Sequence, residues 1–345
     1  MLSIKIAYDK VPFLLLRFLW ASKENEEIKY NWIFLKLKNY IIIIPKSVKM
    51  NTKFFFTIAL TLMLTTSIAQ RNWDAVEIKT EKVADDIYAL FGSGGNIGLA
   101  VGEDYAYLID DQFAPLSEKI TAAVRAITDK PIKFLVNTHW HGDHVGGNEN
   151  FAHGGTVIVA HEAVRERMST LQERANGRVV QPYPLKALPK VTYTDKLTFH
   201  LDSTRTMHVM HVYPSHTDGD SYIYFPESNV IHMGDNFSNG GYPYLDLNSG
   251  GHIDGLIKNH NMVIAMLDDQ TKIIPGHGPV TDRARLIAYR DMLVTIHDRV
   301  KKAKLAGSSL EEALSMGLTK EWDDEFGQGF IDPSEIVTSI YKSLD

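Results

Sequence analysis

The stretch that decides the fold is residues 137–147, which read NTHWHGDHVGG and directly follow an apolar run predicted as a strand. His139 and His141 alternate, so an extended backbone turns both imidazoles to the same side. The glycines that follow allow a tight turn, after which Asp143 and His144 can face the same point. Three imidazoles and one carboxylate within six residues suit a borderline divalent metal such as zinc.

Composition narrows the chemistry that this chain can carry. The 345 residues include no Cys and 14 His, and 44% of them are hydrophobic, as in ordinary globular proteins. The absence of Cys excludes disulfide scaffolds, thiolate zinc clusters and Cys nucleophiles, so metal chemistry must use His and carboxylate ligands. The net charge of −6 offers no general attraction for nucleic acid. We therefore expect a small-molecule substrate and no nucleic-acid partner.

Residues 50–69 have the layout of a secretory signal peptide: a short basic start, the apolar run Phe54–Leu64 and small residues before Ala69. The apolar run is too short for a membrane span of about 20 residues, so we expect no stable membrane anchor. The mature protein is predicted to be exported, either periplasmic or secreted. Residues 1–49 are interpreted as an over-extended gene prediction, the alternative being a real cytoplasmic or membrane-associated extension.

Residues 70–345 are predicted to form a single α/β domain. Two batches of strands, each followed by helices, predict an α/β/β/α sandwich, with a helical cover from about residue 283. The predicted strands are Ala75–Thr80, Ile87–Phe91, Ile97–Val101, Tyr105–Ile109, Ile132–Val136, Val157–Ala160, Leu197–Leu201, Thr206–Val212, Ser221–Phe225, Val230–Met233 and Lys272–Ile274. The predicted helices are 115–129, Glu162–Ala175, Ile253–Leu267, Arg283–Leu305, Ser309–Met316 and Ser334–Ser343.

The histidine motif resembles the signature of the metallo-β-lactamase-fold hydrolases. The other motifs of that family follow in order, as a Ser-His-Thr turn at His216, a Gly-Asp pair at Asp235 and a Pro-Gly-His-Gly turn at His277. The resemblance extends from Ala75 to about Val280. It implies an α/β/β/α sandwich of the metallo-β-lactamase type with extra C-terminal helices.

The resemblance also implies a site for two zinc ions. One ion would be bound by His139, His141 and His216. The other would be bound by Asp143, His144 and His277, with Asp235 bridging both. Asp143 would in addition be catalytic, because its carboxylate can orient the nucleophile and accept its proton.

This His/Asp set is more similar to glyoxalase II and the acyl-homoserine lactonases than to the commonest β-lactamases. Those β-lactamases have Cys where Asp235 stands and Lys where Ser238 stands. We expect hydrolysis of an amide or ester bond in a small cyclic substrate, β-lactam-like or a lactone, by a metal-bridging hydroxide. The alternative is a mononuclear iron oxidoreductase similar to the persulfide dioxygenases. The oligomeric state is left open.

Aromatic and acidic residues near the motifs are further candidates. Tyr242 and Tyr244 are candidate substrate contacts, the alternative being loop packing. Trp140 either lines the pocket or packs beneath the metal loop. Asp110 and Asp111 are predicted to orient a ligand histidine or to have a turn role. The nine histidines outside the motifs are predicted to be surface or hydrogen-bonded residues.

Overall fold

The computed structural model describes residues 71–174 and 177–344, together with the backbone of two strands that precede them. The chain divides into two units, Met1–Arg71 and Asn72–Asp345. In the first unit, β1 (Trp32–Leu37) pairs antiparallel with β2 (Tyr40–Pro45). The predicted signal peptide and the rest of the predicted extension lie outside the described residues.

The first large sheet of the second unit has seven strands within the described residues. They are β3 (Lys79–Ala84), β4 (Ile87–Phe91), β5 (Ile97–Val101), β6 (Ala106–Ile109), β7 (Ile132–Val136), β8 (Val157–His161) and β11 (Val191–Tyr193). Their order is β11-β8-β7-β6-β5-β4-β3. Strands β3 to β6 form an antiparallel meander, whereas β6, β7, β8 and β11 are parallel. The parallel strands therefore end at the same edge of the sheet.

The second large sheet has six strands in the part of the chain that the structure describes. They are β12 (Lys196–His200), β13 (Thr206–His211), β14 (Ser221–Phe225), β15 (Val230–His232), β16 (Lys272–Ile274) and β17 (Thr281–Asp282), in that order. Only β15 and β16 pair in parallel. A separate small hairpin, β9 (Gln172–Glu173) with β10 (Val179–Val180), follows the first batch of helices.

Helices cover the outer faces of both sheets. They are α1 (Ser117–Arg125), α2 (Gly142–Val145), α3 (Asn148–His153), α4 (Glu162–Ser169), α5 (Ile253–Met266), α6 (Arg283–Leu305), α7 (Leu310–Ser315), α8 (Asp323–Phe326) and α9 (Pro333–Ser343). One apolar core lies between the sheets, a second packs α1 and α3 on the first sheet, and a third packs α5, α6 and α9 on the second. These layers confirm the predicted α/β/β/α sandwich. None of the described helices is both long and apolar enough to cross a membrane.

Three predicted elements have clearly different bounds in the structure. The helix predicted over 115–129 spans only Ser117–Arg125. The strand predicted over Ala75–Thr80 starts at Lys79, because residues 73–75 form a 3-10 turn instead. The helix predicted over Glu162–Ala175 ends at Ser169, because Thr170 is extended and the chain then enters the β9–β10 hairpin. The short strands β11 and β17 were not predicted, since two or three residues do not establish a period.

Candidate metal centre

The motif loops lie at one edge of the sandwich, where strands of both sheets end. Hydrogen bonds between backbone groups join these loops to one another. Ser221 N donates to Thr138 O across the two sheets at 2.9 Å, and Asn96 N donates to Gly276 O at 2.6 Å. Gly276 N in turn donates to Gly234 O at 2.8 Å. The donor side chains are therefore held by loops that are tied together.

The described side chains include two groups of donors that could each hold a metal ion. Within each group the donor atoms lie within 4.8 Å of one another. The first group is His139, His141, His216 and Asp235, and the second is Asp143, His144 and His277. The structure thus brings all seven predicted ligands together, in the two predicted groups.

Asp235 lies between the two groups. Its Oδ1 is 3.0 Å from Nε2 of His144, and its Oδ2 is 3.3 Å from Nε2 of His277. The same Oδ2 is 3.6 Å from Nε2 of His216 and 3.8 Å from Nε2 of His139. One carboxylate therefore reaches donors of both groups, as a bridging ligand would.

Outer partners orient four of the five histidines. In each case the ring nitrogen that faces away from the other donors contacts an oxygen, which sets the ring orientation and leaves the second nitrogen facing inward. The pairs are His139 Nδ1 with Thr138 Oγ1 at 3.0 Å, His141 Nε2 with Asp246 Oδ2 at 2.9 Å, His144 Nδ1 with Asp110 Oδ2 at 2.7 Å and His216 Nδ1 with Tyr244 O at 2.6 Å.

The inward-facing atoms fit a cation. Nε2 of His139 is buried and has no hydrogen-bond partner in the described residues, whereas the buried Nε2 of His144 and Oδ1 of Asp235 face one another, at 3.0 Å. Nε2 of His216 and Nδ1 of His141 are only 2.8 Å apart. The opposite nitrogen of each ring has an oxygen partner, so these two nitrogens both face the interior of the donor group. Buried polar atoms normally have partners, and divalent metals would supply them here.

Burial and neighbouring charges set the protonation states. Burial lowers the pKa of His139 and of His141 well below the usual range, so both rings stay neutral and can donate lone pairs. Burial alone would raise the pKa of Asp235, but His144, His277 and His139 hold it well below the usual range. For His144, burial lowers the pKa, but the combined charges of Asp235, Asp110 and Asp143 and the hydrogen bond to Asp110 raise it well above the usual range.

The second donor group faces solvent. The side chains of Asp143 and His277 are 28% and 38% exposed, whereas those of the other donors are at most 12% exposed. A turn before β5 approaches this group so closely that a Cβ on Gly95 would overlap the His144 ring. The centre is therefore more open to solvent on the side of Asp143 and His277.

A family model described as the metallo-beta-lactamase superfamily matches residues 90–277, more than half of the chain. This chain belongs to the metallo-β-lactamase superfamily. The predicted family is thereby confirmed, and at family level the chain is a metallo-hydrolase. The superfamily usually binds metal ions, in agreement with the two donor groups.

Relatives in this superfamily carry hydrolase names. A hydroxyacylglutathione hydrolase from Pelagibacter ubique is 23% identical over 224 residues, which are 61% of this chain and 81% of the relative. The beta-lactamase-like protein 2 homolog of Caenorhabditis elegans is 26% identical over 216 residues, 59% of this chain and 65% of the relative.

Solved structures share the fold. The sec-alkylsulfatase Pisa1 from a Pseudomonas species aligns with a TM-score of 0.58 and 17% identity over 77% of this chain, which spans 50% of the alkylsulfatase. A metallo-beta-lactamase from Pontibacter korlensis aligns with a TM-score of 0.51 and 18% identity, over 63% of this chain and 99% of its own.

Two of the three predicted substrate contacts are buried in positions that leave no surface for a substrate. Trp140 is 1% exposed and packs beneath the metal loop, with the Arg174 guanidinium 4.1 Å from its ring centre. Tyr242 is buried, and its hydroxyl donates to Asp323 Oδ1 at 2.9 Å. Tyr244 does lie at the centre, with its ring 5.7 Å from that of His141.

The two acidic candidates differ. Asp110 contacts His144 and accepts from the backbone N–H and the hydroxyl of Thr138, both at 2.7 Å. The Asp111 carboxylate accepts from Gly147 N, and only the backbone N–H of Asp111 contacts a predicted ligand, by donating to His144 O at 3.0 Å. Burial raises the pKa of Asp111 well above the usual range. Of these two acidic residues, only Asp110 therefore orients a histidine of the centre with its side chain.

The sequence did not point to Asp246, which is the outer partner of His141. This carboxylate is fully buried, and its Oδ2 also accepts from Arg174 Nη1 and Ser249 Oγ, both at 2.8 Å. Arg174 follows β9, in a stretch predicted as helix. No local motif marks either residue, since the contact between His141 and Asp246 joins positions 105 residues apart.

Proposed function

We propose that this protein is an exported hydrolase with two zinc ions that cleaves the amide or ester bond of a small cyclic substrate, either a β-lactam-like compound or a lactone. The observation that carries the proposal is the pair of His/Asp donor groups that share Asp235. The hydrolase names of the relatives support the reaction type. The signal-peptide layout of residues 50–69 supports export.

When bound, a pair of divalent cations lowers the pKa of a water molecule between them and polarises a carbonyl oxygen. Asp143 is suited to accept the proton of the attacking water, because its carboxylate is partly exposed and lies 3.5 Å from Nε2 of His277. Tyr244 lies beside the first donor group, with its ring 5.7 Å from that of His141 and 5.9 Å from that of His216.

The direct test combines metal analysis with two substrate classes. We expect two zinc ions per chain in the natively purified protein, and hydrolysis of nitrocefin or of homoserine lactones that EDTA abolishes. His141→Ala should abolish the activity, whereas the surface control Leu305→Ala should retain it. Turnover of neither substrate class by zinc-loaded protein would refute the substrate proposal. Unchanged activity of His141→Ala would refute the site, and one iron per chain would favour the oxidoreductase alternative.

Export is tested separately. We expect the mature protein in the periplasm or medium, with its N-terminus near residue 70. A chain that keeps residues 50–69 and stays in the cytoplasm would refute export without affecting the proposed chemistry.

A further inference from the structure

Phe330 is the most exposed of the large apolar side chains that the structure describes, at 85%. It lies in the connection between α8 and α9, where Phe326 and Ile331 on either side of it are buried in the core of the second sheet. Because these two neighbours anchor the backbone, the exposure of Phe330 belongs to the folded state. Keeping a large apolar ring mostly in contact with water is unfavourable, and apolar surface that adjoins a site commonly contacts a ligand.

The Phe330 ring lies beside the candidate metal centre. Its centre is 6.0 Å from that of the Tyr244 ring, with the two planes at 78°. The Tyr244 ring in turn is 5.7 Å from the ring of His141 and 5.9 Å from that of His216. The two aromatic rings therefore lead from the first donor group to the surface.

Contacts hold the Tyr244 side chain and the connection that carries Phe330. The Tyr244 carbonyl accepts from His216 Nδ1, and Arg174 hydrogen-bonds to the Tyr244 side chain. The connection that carries Phe330 is tied to the same loop, because Tyr242 N donates to Phe326 O at 3.2 Å. A ligand at the metal centre would meet a preformed surface, which costs little ordering on binding.

We propose that Tyr244 and Phe330, here called the aromatic wall, bind an apolar substituent of the substrate next to the bond that is cleaved. This inference rests on the proposed function and specifies its substrate class: a cyclic amide or ester that carries an aryl or alkyl group. The occupant is the substrate because the inner ring of the wall contacts the histidines of the centre. Phe330 lies outside the region that matches the family model, so the wall is supplied by the C-terminal cover of this chain.

A binding experiment tests the wall without requiring turnover. Acetohydroxamic acid and 4-phenylbutanehydroxamic acid carry the same metal-chelating group, and only the second has an apolar tail. We expect the natively purified holoprotein to bind the phenyl compound more tightly. Phe330→Ala should lower that preference about three- to tenfold and leave the Kd of acetohydroxamic acid unchanged. Phe330→Tyr, which keeps an aromatic ring, should retain the preference for the phenyl compound. The control Leu305→Ala, at a side chain that is 80% exposed, should retain it as well.

Measurements of hydrolysis distinguish a failure of this inference from a failure of the proposed function. For homoserine lactones with butanoyl and dodecanoyl chains, Phe330→Ala should lower kcat/KM for the long chain only, through KM. If the holoprotein hydrolyses no lactam or lactone but Phe330→Ala still reduces the phenyl preference, the wall stands and the proposed substrate class fails. A holoprotein without preference for the phenyl compound overturns the wall. A preference that survives in Phe330→Ala overturns it too, and a sedimentation shift in that variant would then assign Phe330 to a contact between proteins.

Discussion

Replacing Asp246 by Ala tests how the outer partners control the metal centre. One oxygen of this fully buried carboxylate accepts from His141 Nε2 at 2.9 Å and from Arg174 Nη1 at 2.8 Å. Hydrogen bonds to charged groups contribute about 1.5–3 kcal/mol each, and a buried donor left without its partner adds to the loss. Arg174 keeps some contact with water, so we expect the free energy of unfolding of the metal-free protein to fall by about 3 kcal/mol.

The metal affinity should fall as well, since Asp246 is the oxygen partner that orients the His141 ring through Nε2. Loss of an outer partner typically weakens metal binding by about 10- to 100-fold, which corresponds to about 1.4–2.7 kcal/mol. Zinc affinity is measured by competition with a chelator, and the free energy of unfolding by urea titration of the metal-free protein. Ser249→Ala is the matched control, because it removes a neutral donor from the same oxygen and leaves both charged partners in place.

The substitution Asp246→Asn separates the contribution of the negative charge of Asp246 from that of the size and shape of its side chain. The amide keeps one acceptor oxygen but carries no charge, so we expect an intermediate loss of both quantities. If Asp246→Ala bound zinc as tightly as the unmodified protein while its free energy of unfolding fell, Asp246 would only anchor Arg174. That result would refute the assignment of Asp246 as the residue that orients His141.

Three further predictions concern other parts of the centre and its support. Gly95→Ala places a Cβ against the His144 ring, so metal content should drop towards one ion per chain, and a full content of two ions would contradict the close approach. Asp143→Asn should lower kcat by about 10²- to 10⁴-fold, while the affinity at the first donor group changes little; unchanged kcat would remove Asp143 from the reaction. Burial lowers the pKa of His260 to about 4, from an unfolded value of about 6.5, so the unfolded chain binds more protons between these values. His260 therefore removes up to about 3 kcal/mol of stability as the pH falls from 6.5 to 4, and in His260→Gln the urea midpoint should fall less over this range. An equal fall of the urea midpoint in the unmodified protein and in His260→Gln would contradict this role of His260.

The seven donors could be predicted because each lies in a short turn directly after an apolar run. Such a turn is a local pattern, and the strand before it determines at which edge of the sheet the turn lies. The sandwich was predictable for a related reason, since two batches of strands with helices after each leave few ways to bury every apolar face. The predicted bounds of helices and strands were wrong where short elements form only by pairing with distant parts of the chain, as at the β9–β10 hairpin.

Of the two positions predicted for Trp140, the one beneath the loop has a physical reason that the sequence already contained. The alternation that turns His139 and His141 to one side of an extended backbone turns Trp140 to the other side, into the core beneath the loop. The choice between Tyr242 and Tyr244 was different. Tyr242 is turned away from the centre because its hydroxyl donates a hydrogen bond to Asp323 of the C-terminal cover, 81 residues further along the chain. No local pattern could distinguish the two tyrosines.

The reaction and the selectivity of the centre are carried by different parts of the chain. All seven donors lie within residues 90–277, on loops whose positions follow from the strands of both sheets. The outer ring of the aromatic wall comes from the connection between α8 and α9, which carries none of the seven donors. Substitution at Phe330 should therefore change which substituent is preferred without changing metal content. Substitution at Asp246, in contrast, should change metal affinity for every substrate alike.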